Sequence, residues 1–129
     1  MTNNFKPADY NSLSPYLIVE GAEKMISLLE DVFGAEVTRK YDAPNGLGIM
    51  HAEMRIDDSI LMIADSTDQF PPVPTVLHVY VADSDEVYRK AIAAGCKGIQ
   101  EPVQKGDPDK RGTFEDFAGN SWSVSTQMG

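Results

Sequence analysis

The strongest constraint in this sequence is that its second half repeats the order of its first. Tyr16-Leu17-Ile18-Val19 is a short apolar run just after Pro15, which suits a strand. Ala22, Met25, Ile26, Leu29, Val32 and Phe33 then recur at helical spacing until Gly34, the mark of an amphipathic helix with a glycine stop. Val37 to Tyr41 alternates as a strand, Ala43-Pro44-Asn45-Gly46 is turn chemistry, and Ile49 to Ile56 alternates again. Asp57-Asp58-Ser59 turns the chain into Ile60-Leu61-Met62-Ile63. After a connector over residues 66–74 carrying Pro71, Pro72 and Pro74, the order restarts with a strand over Val76 to Val81. Asp83 and Glu86 form a capping box for a helix carrying Val87, Ala91 and Ala94, and Gly95 stops it. Ile99 to Val103 reads as a strand, Lys105 to Lys110 as a charged loop, Thr113 to Phe117 as a strand, and Trp122-Ser123-Val124 as the last.

The two helix-stopping glycines stand 61 positions apart (95 − 34), and the same shift lays Ile18 on Val79, Ile26 on Val87, Leu61 on Trp122 and Ile63 on Val124. A self-similar half cannot bury its sheet face alone and must pair with its copy. The pattern therefore predicts an α+β fold of two tandem β-α-β-β-β modules, about residues 13–65 and 74–127, forming a curved mixed sheet around a cavity. Residues 1–129 are expected to make one domain.

Charge narrows the partners. Eleven Lys and Arg against 20 Asp and Glu leave a net charge of −9, which repels phosphate backbones and argues against nucleic acid. The same field attracts a cationic small molecule, although an acidic balance also serves plain solubility. No apolar stretch reaches the ~20 residues of a membrane-spanning helix, so no membrane is expected. Met1 to Pro7 lacks a signal-peptide pattern, which gives a cytoplasmic expectation. Cys96, the only cysteine, excludes an internal disulfide and reads as a buried structural thiol.

Alternation nominates the cavity residues. If Leu77, Val79 and Val81 face the helix, then Val76, His78 and Tyr80 face the cavity. His78 is then either a ligand contact or a histidine satisfied by a neighbour. Ser121, Ser123 and Ser125 oppose Trp122 and Val124, so the serines face the cavity and Trp122 packs beneath a helix. That parity restrains an aromatic-cage reading of Tyr16, Tyr80, Phe114 and Trp122. Tyr16 shares parity with Ser14 and Ile18, which makes it a cavity residue. His51, Glu53 and Arg55 share one strand face and read as solvated or mutually paired, with half of a displaced metal site as the functional alternative. The predicted pocket is Tyr16, Met62, His78, Tyr80 and Ser123, with no catalytic residue assigned. Gly46-Leu47-Gly48 lacks the rest of a dinucleotide fingerprint, and no nucleophile elbow or phosphate-binding glycine loop occurs.

Specific strings carry a resemblance: Ser14-Pro15-Tyr16-Leu17, Val32-Phe33-Gly34-Ala35-Glu36, His51-Ala52-Glu53-Met54-Arg55-Ile56, Leu61-Met62-Ile63-Ala64-Asp65 and Phe117-Ala118-Gly119-Asn120-Ser121-Trp122. In this order they resemble the vicinal oxygen chelate superfamily of glyoxalase I, bleomycin-resistance proteins and extradiol dioxygenases, in its PhnB-like branch. The resemblance implies a homodimer whose cavities are completed between subunits. Enzymes of the superfamily hold one divalent metal on His and Glu side chains. The resemblance lays those ligand positions on Ser14, Met62, Thr75 or Val76, and Ser123. None is a histidine or carboxylate, so neither metal nor other cofactor is expected. The implied function is metal-free binding of a small molecule. The alternative is a metal-dependent lyase, isomerase or dioxygenase using His51, Glu53 and His78; a partner protein with a vestigial cavity is a third reading.

Overall fold

The computed structural model describes residues 5–129, so residues 1–4 of the N-terminal reading lie outside it. The first module contains β1 (Tyr16–Val19), α1 (Ala22–Phe33), β2 (Glu36–Asp42), β3 (Ile49–Ile56) and β4 (Ser59–Asp65). The second contains β5 (Val76–Tyr80), α2 (Ser84–Ala93), β6 (Lys97–Gln104), β7 (Asp109–Glu115) and β8 (Ser121–Gln127). The strands form two four-stranded mixed sheets, ordered β1-β4-β3-β2 and β5-β8-β7-β6. In each, the first strand of the module runs parallel to the last and the other pairs are antiparallel.

What joins the modules is side-chain packing. α1 buries Ala22, Met25, Ile26, Leu28, Leu29 and Val32 on one stripe. Phe33, at the end of that stripe, reaches the other module, its ring 5.2 Å from Trp122 and 6.4 Å from Phe114. α1 also packs on α2, and one hydrophobic cluster runs from Leu17 and Ile63 to Trp122 and Val124. The helix-covered faces of the two sheets thus meet in a common core, and the opposite faces are left open. Trp122, fully buried, belongs to the core, as its parity predicts.

The two helix starts solve the same problem differently. The first N–H groups of a helix have no partner inside it. Gly21, which precedes α1, has no side chain to offer, and Asp65 from β4 accepts instead from the Gly21 and Ala22 N–H groups at 3.1 and 2.8 Å. α2 uses its own Asp83, which accepts from the Glu86 N–H at 3.2 Å. The return half of the capping box is absent among the described residues: the Glu86 carboxylate turns instead to Lys90, at 2.9 Å. Asp83→Ala is therefore expected to cost about 1 kcal/mol in urea unfolding, and Glu86→Ala less than half of that.

The repeat holds, but not at one constant shift. Leu17 pairs with Ile63 on β4 and Val79 with Val124 on β8, so with Ile63 and Val124 corresponding at 61, β1 superposes on β5 at 62 (79 − 17) and Ile18 matches Tyr80, not Val79. The helix positions Ala22, Met25 and Leu29 correspond to Ser84, Val87 and Ala91 at 62 (84 − 22), whereas Leu61 and Trp122 keep 61. A slip of one residue reverses the face of every side chain in a strand, and α2, shorter than α1, absorbs the difference between 62 before the helix end and 61 after it. β7 also begins earlier than the charged-loop reading allows. Asp109 and Lys110 pair with Gln127 and Thr126 of a longer β8. Phe117 falls outside the strand because Asp116 accepts from the Ala118 and Asn120 N–H groups and bends the chain there.

Candidate functional site

On the first sheet, alternation turns Leu17, Ala52 and Ile63 into the core and presents Tyr16, Met62 and Glu53 side by side on the open face, in the register Tyr16↔Met62↔Glu53. His51 stands two residues from Glu53 and shares its face. These groups are bonded into a line. The Tyr16 hydroxyl lies 2.9 Å from His51 Nδ1, and His51 Nε2 lies 2.6 Å from Glu53 Oε2. Tyr10, from the segment before β1, donates its hydroxyl to Glu53 Oε1 at 2.6 Å and lies 2.7 Å from the Thr38 hydroxyl. Arg39 approaches the same oxygen at 3.6 Å, and the Tyr41 ring stacks on His51.

Glu53 is only 4% exposed, and its electrostatics follow from its partners. Burial alone would raise its pKa, but the hydrogen bonds from Tyr10 and His51, with the Arg39 charge nearby, outweigh it and hold the carboxyl below its ordinary value. Burial first, then the Glu53 charge, pushes the Tyr16 phenol up; Tyr10 moves the same way, from burial and its bond to Glu53. Of the alternatives left open for His51 and Glu53, mutual pairing is the one observed, and solvation does not apply to Glu53. The residue that sequence reasoning missed is Tyr10, 43 positions from its partner Glu53.

Tyr16 borders a cavity of about 790 Å³ whose walls include Ile18, Leu47, Ile49, Met50 and Phe70. One wall is the turn after β2, which Asp65 fixes by accepting from the Ile49 N–H at 2.7 Å. Gly48 has φ +94, and a Cβ there would lie 2.5 Å from Asp65 Oδ2, so the turn needs glycine for both conformation and space. Both Asp65 oxygens are thus committed to backbone donors.

The other predicted pocket residues lie on the second sheet. His78 pairs with Ser123 across β5 and β8, and its Nε2 lies 3.0 Å from the Ser125 hydroxyl, which also accepts from Arg111 Nε at 3.2 Å. The Tyr80 hydroxyl donates to Asp109 at 2.8 Å, and that bond and charge raise its pKa. His78 and Tyr80 line a separate cavity of about 430 Å³ with Asn11, Leu13 and Ile60. Within one chain, Tyr16 and Met62 are therefore neighbours, as are His78, Tyr80 and Ser123, while the two groups occupy different sheets. Phe114 and Trp122 are buried, so they contribute nothing to an aromatic cage. Cys96 is buried, and burial, with the Asp116 charge, pushes its thiol up to about 11, as suits an inert structural cysteine.

The family profile described as Glyoxalase/Bleomycin resistance protein/Dioxygenase superfamily matches residues 11–124. The chain belongs to this superfamily. Among curated proteins it is similar to the uncharacterized protein Rv0887c of Mycobacterium tuberculosis, 27% identical over 135 residues covering 96% of this chain and 76% of that one. Its fold is similar to the PhnB protein of Bacillus cereus, at a TM-score of 0.71 and 19% identity over 90% of this chain and 99% of that one. It is similar also to FosX of Listeria monocytogenes, solved with Mn(II) and sulfate, at 0.68 and 16% over 90% and 89%.

At the positions where the resemblance would place a metal, the donors are poor ones for a divalent cation. Ser14, Met62, Thr75 or Val76, and Ser123 offer hydroxyls, a thioether and an alkyl group where a hard divalent cation needs imidazole or carboxylate. Within one chain the displaced set is not gathered either. Among the described residues no three His, Cys, Asp or Glu side chains are placed to share an ion. His51 and Glu53 bond to each other on one sheet, while His78 bonds to Ser125 on the other. No helix among the described residues is long and apolar enough to cross a membrane.

Proposed function

We propose that this superfamily member binds a small molecule, without a divalent metal, on the open face of its first sheet. The observation that carries the reading is the cavity of about 790 Å³, largely apolar and bordered by Tyr16. Pockets for small ligands commonly combine this size with apolar walls and a few placed polar groups. Met62 lies beside Tyr16 on the same face but outside the residues that wall this cavity. The net charge of −9 favours a ligand with positive charge over one with negative charge.

We further propose that residues 1–129 act as one domain and as a homodimer, in which the second sheet of a partner subunit covers the first sheet of its mate. Val76 and Tyr80 are 81% and 60% exposed on the open face of the second sheet, an apolar surface suited to such burial. That arrangement would bring His78, Tyr80 and Ser123 toward the ligand held against Tyr16.

The reading is tested by thermal-shift and calorimetric titration with small aryl compounds such as indole, with and without a chelator. Saturable binding, unchanged by the chelator and weakened about tenfold by Leu47→Asp in the cavity wall, is the expected result. Stoichiometric retention of manganese or zinc, abolished by His51→Ala or His78→Ala, would establish the metal-dependent alternative instead.

A further inference from the structure

The hydrogen-bond line behind Tyr16 has a direction, and the direction names the ligand's chemistry. We propose that the Tyr16 oxygen faces the cavity as an acceptor, so that the site selects ligands with an N–H or O–H donor on an apolar body, a primary ammonium above all. This rests on the binding reading above. An ionised carboxylate can only accept. Glu53, buried and accepting from Tyr10 on its other oxygen, therefore requires a proton on His51 Nε2 to make the 2.6 Å contact. A doubly protonated ring would donate from Nδ1 as well, which the nitrogen spectrum below distinguishes. We take His51 as the neutral imidazole with that one proton, whose bare Nδ1 can only accept. The Tyr16 hydroxyl, 2.9 Å away, must then donate to it. A phenol has one proton, and here it is spent inward; what remains for the cavity is an oxygen lone pair.

The surroundings hold this arrangement. Tyr41 stacks on the imidazole at 6.3 Å and 24°, which fixes the ring plane. Tyr10 and Arg39 hold the carboxylate from the far side. The low pKa of Glu53 keeps it ionised and the raised pKa of Tyr16 keeps the phenol protonated. Elsewhere in the wall, Asn45, Asp65 and Thr67 each accept a backbone N–H, from Leu47, Ile49 and Phe70, and the lone pairs they keep are the competing acceptors from which the Tyr16→Phe comparison separates Tyr16.

Two matched pairs of probes separate donation from charge: 2-phenylethylammonium with its N-trimethyl derivative, and 2-phenylethanol with its methyl ether. Each donor is expected to bind about five- to tenfold tighter than its methylated counterpart. Tyr16→Phe is expected to abolish both preferences while leaving the methylated probes within about twofold. The imidazole of His51 is expected to show Nε2 protonated and Nδ1 bare in its nitrogen NMR spectrum. Equal affinities within the pairs, a preference surviving in Tyr16→Phe, or a proton on Nδ1 would overturn the proposal while leaving the cavity reading intact. Failure of all four probes to bind would overturn both.

Discussion

Asp116→Ala is expected to remove about 3–5 kcal/mol of folding stability, read as a lower urea midpoint and a melting temperature lowered by on the order of 10 °C. The side chain is 4% exposed and surrounded by donors. Its Oδ1 accepts from the Ala118 and Asn120 backbone N–H groups at 2.9 and 3.0 Å, and its Oδ2 from Asn120 Nδ2 and Trp122 Nε1 at 3.0 and 2.9 Å. Alanine would leave all four without an acceptor in the core. It would also release Asn120, whose Oδ1 ties down the Thr75 N–H at 2.9 Å ahead of β5. Asp116→Asn keeps one acceptor oxygen but aims an amide N–H₂ at other donors, so it is expected to lose about half as much. A loss below about 1 kcal/mol in the alanine variant would mean that the turn rearranges to satisfy its own donors.

That cluster marks where sequence reasoning stops. The order of elements was legible because each was written in local chemistry: the stripe from Ala22 to Phe33, the Gly34 and Gly95 stops, and the alternation from Ile49 to Ile56. The face of Trp122 followed from the serines beside it. The face relation between β1 and β5 did not follow from a single shift, because α2 is shorter than α1, and only the strand pairing separates 62 from 61. The candidate site was legible in parts. Period-two alternation placed Tyr16, His78, Tyr80 and Ser123 on open faces and the resemblance added Met62, but neither showed that the five divide between two sheets. It carried no information that a tyrosine ahead of β1 would reach Glu53, or that Asp65 would serve at once as helix cap, turn anchor and cavity wall. Those contacts are long-range polar pairings without periodicity, and they turn His51 and Glu53 from an ordinary strand face into an oriented line.

Glu53→Ala is expected to cost about 2–4 kcal/mol near neutral pH, a large effect for a residue on an open sheet face. Removing the carboxylate leaves the Tyr10 hydroxyl, the His51 N–H and the Arg39 guanidinium facing an empty acceptor position. The pH dependence has a definite sign. Because the fold holds the carboxyl below its ordinary value of 4.5, the folded state binds its proton less readily than the unfolded chain. The ionised carboxylate's contribution is therefore complete above that ordinary value and drains away as pH falls through the lower, folded one. Urea unfolding of both proteins between about pH 7 and pH 3 should give a wild-type advantage that is flat down to about 4.5 and narrows below it. An advantage that stayed constant into acid would assign the loss to packing around the side chain, not to its charge. An advantage that grew in acid would mean that the fold raises the Glu53 pKa, with the burial penalty exceeding what Tyr10, His51 and Arg39 supply.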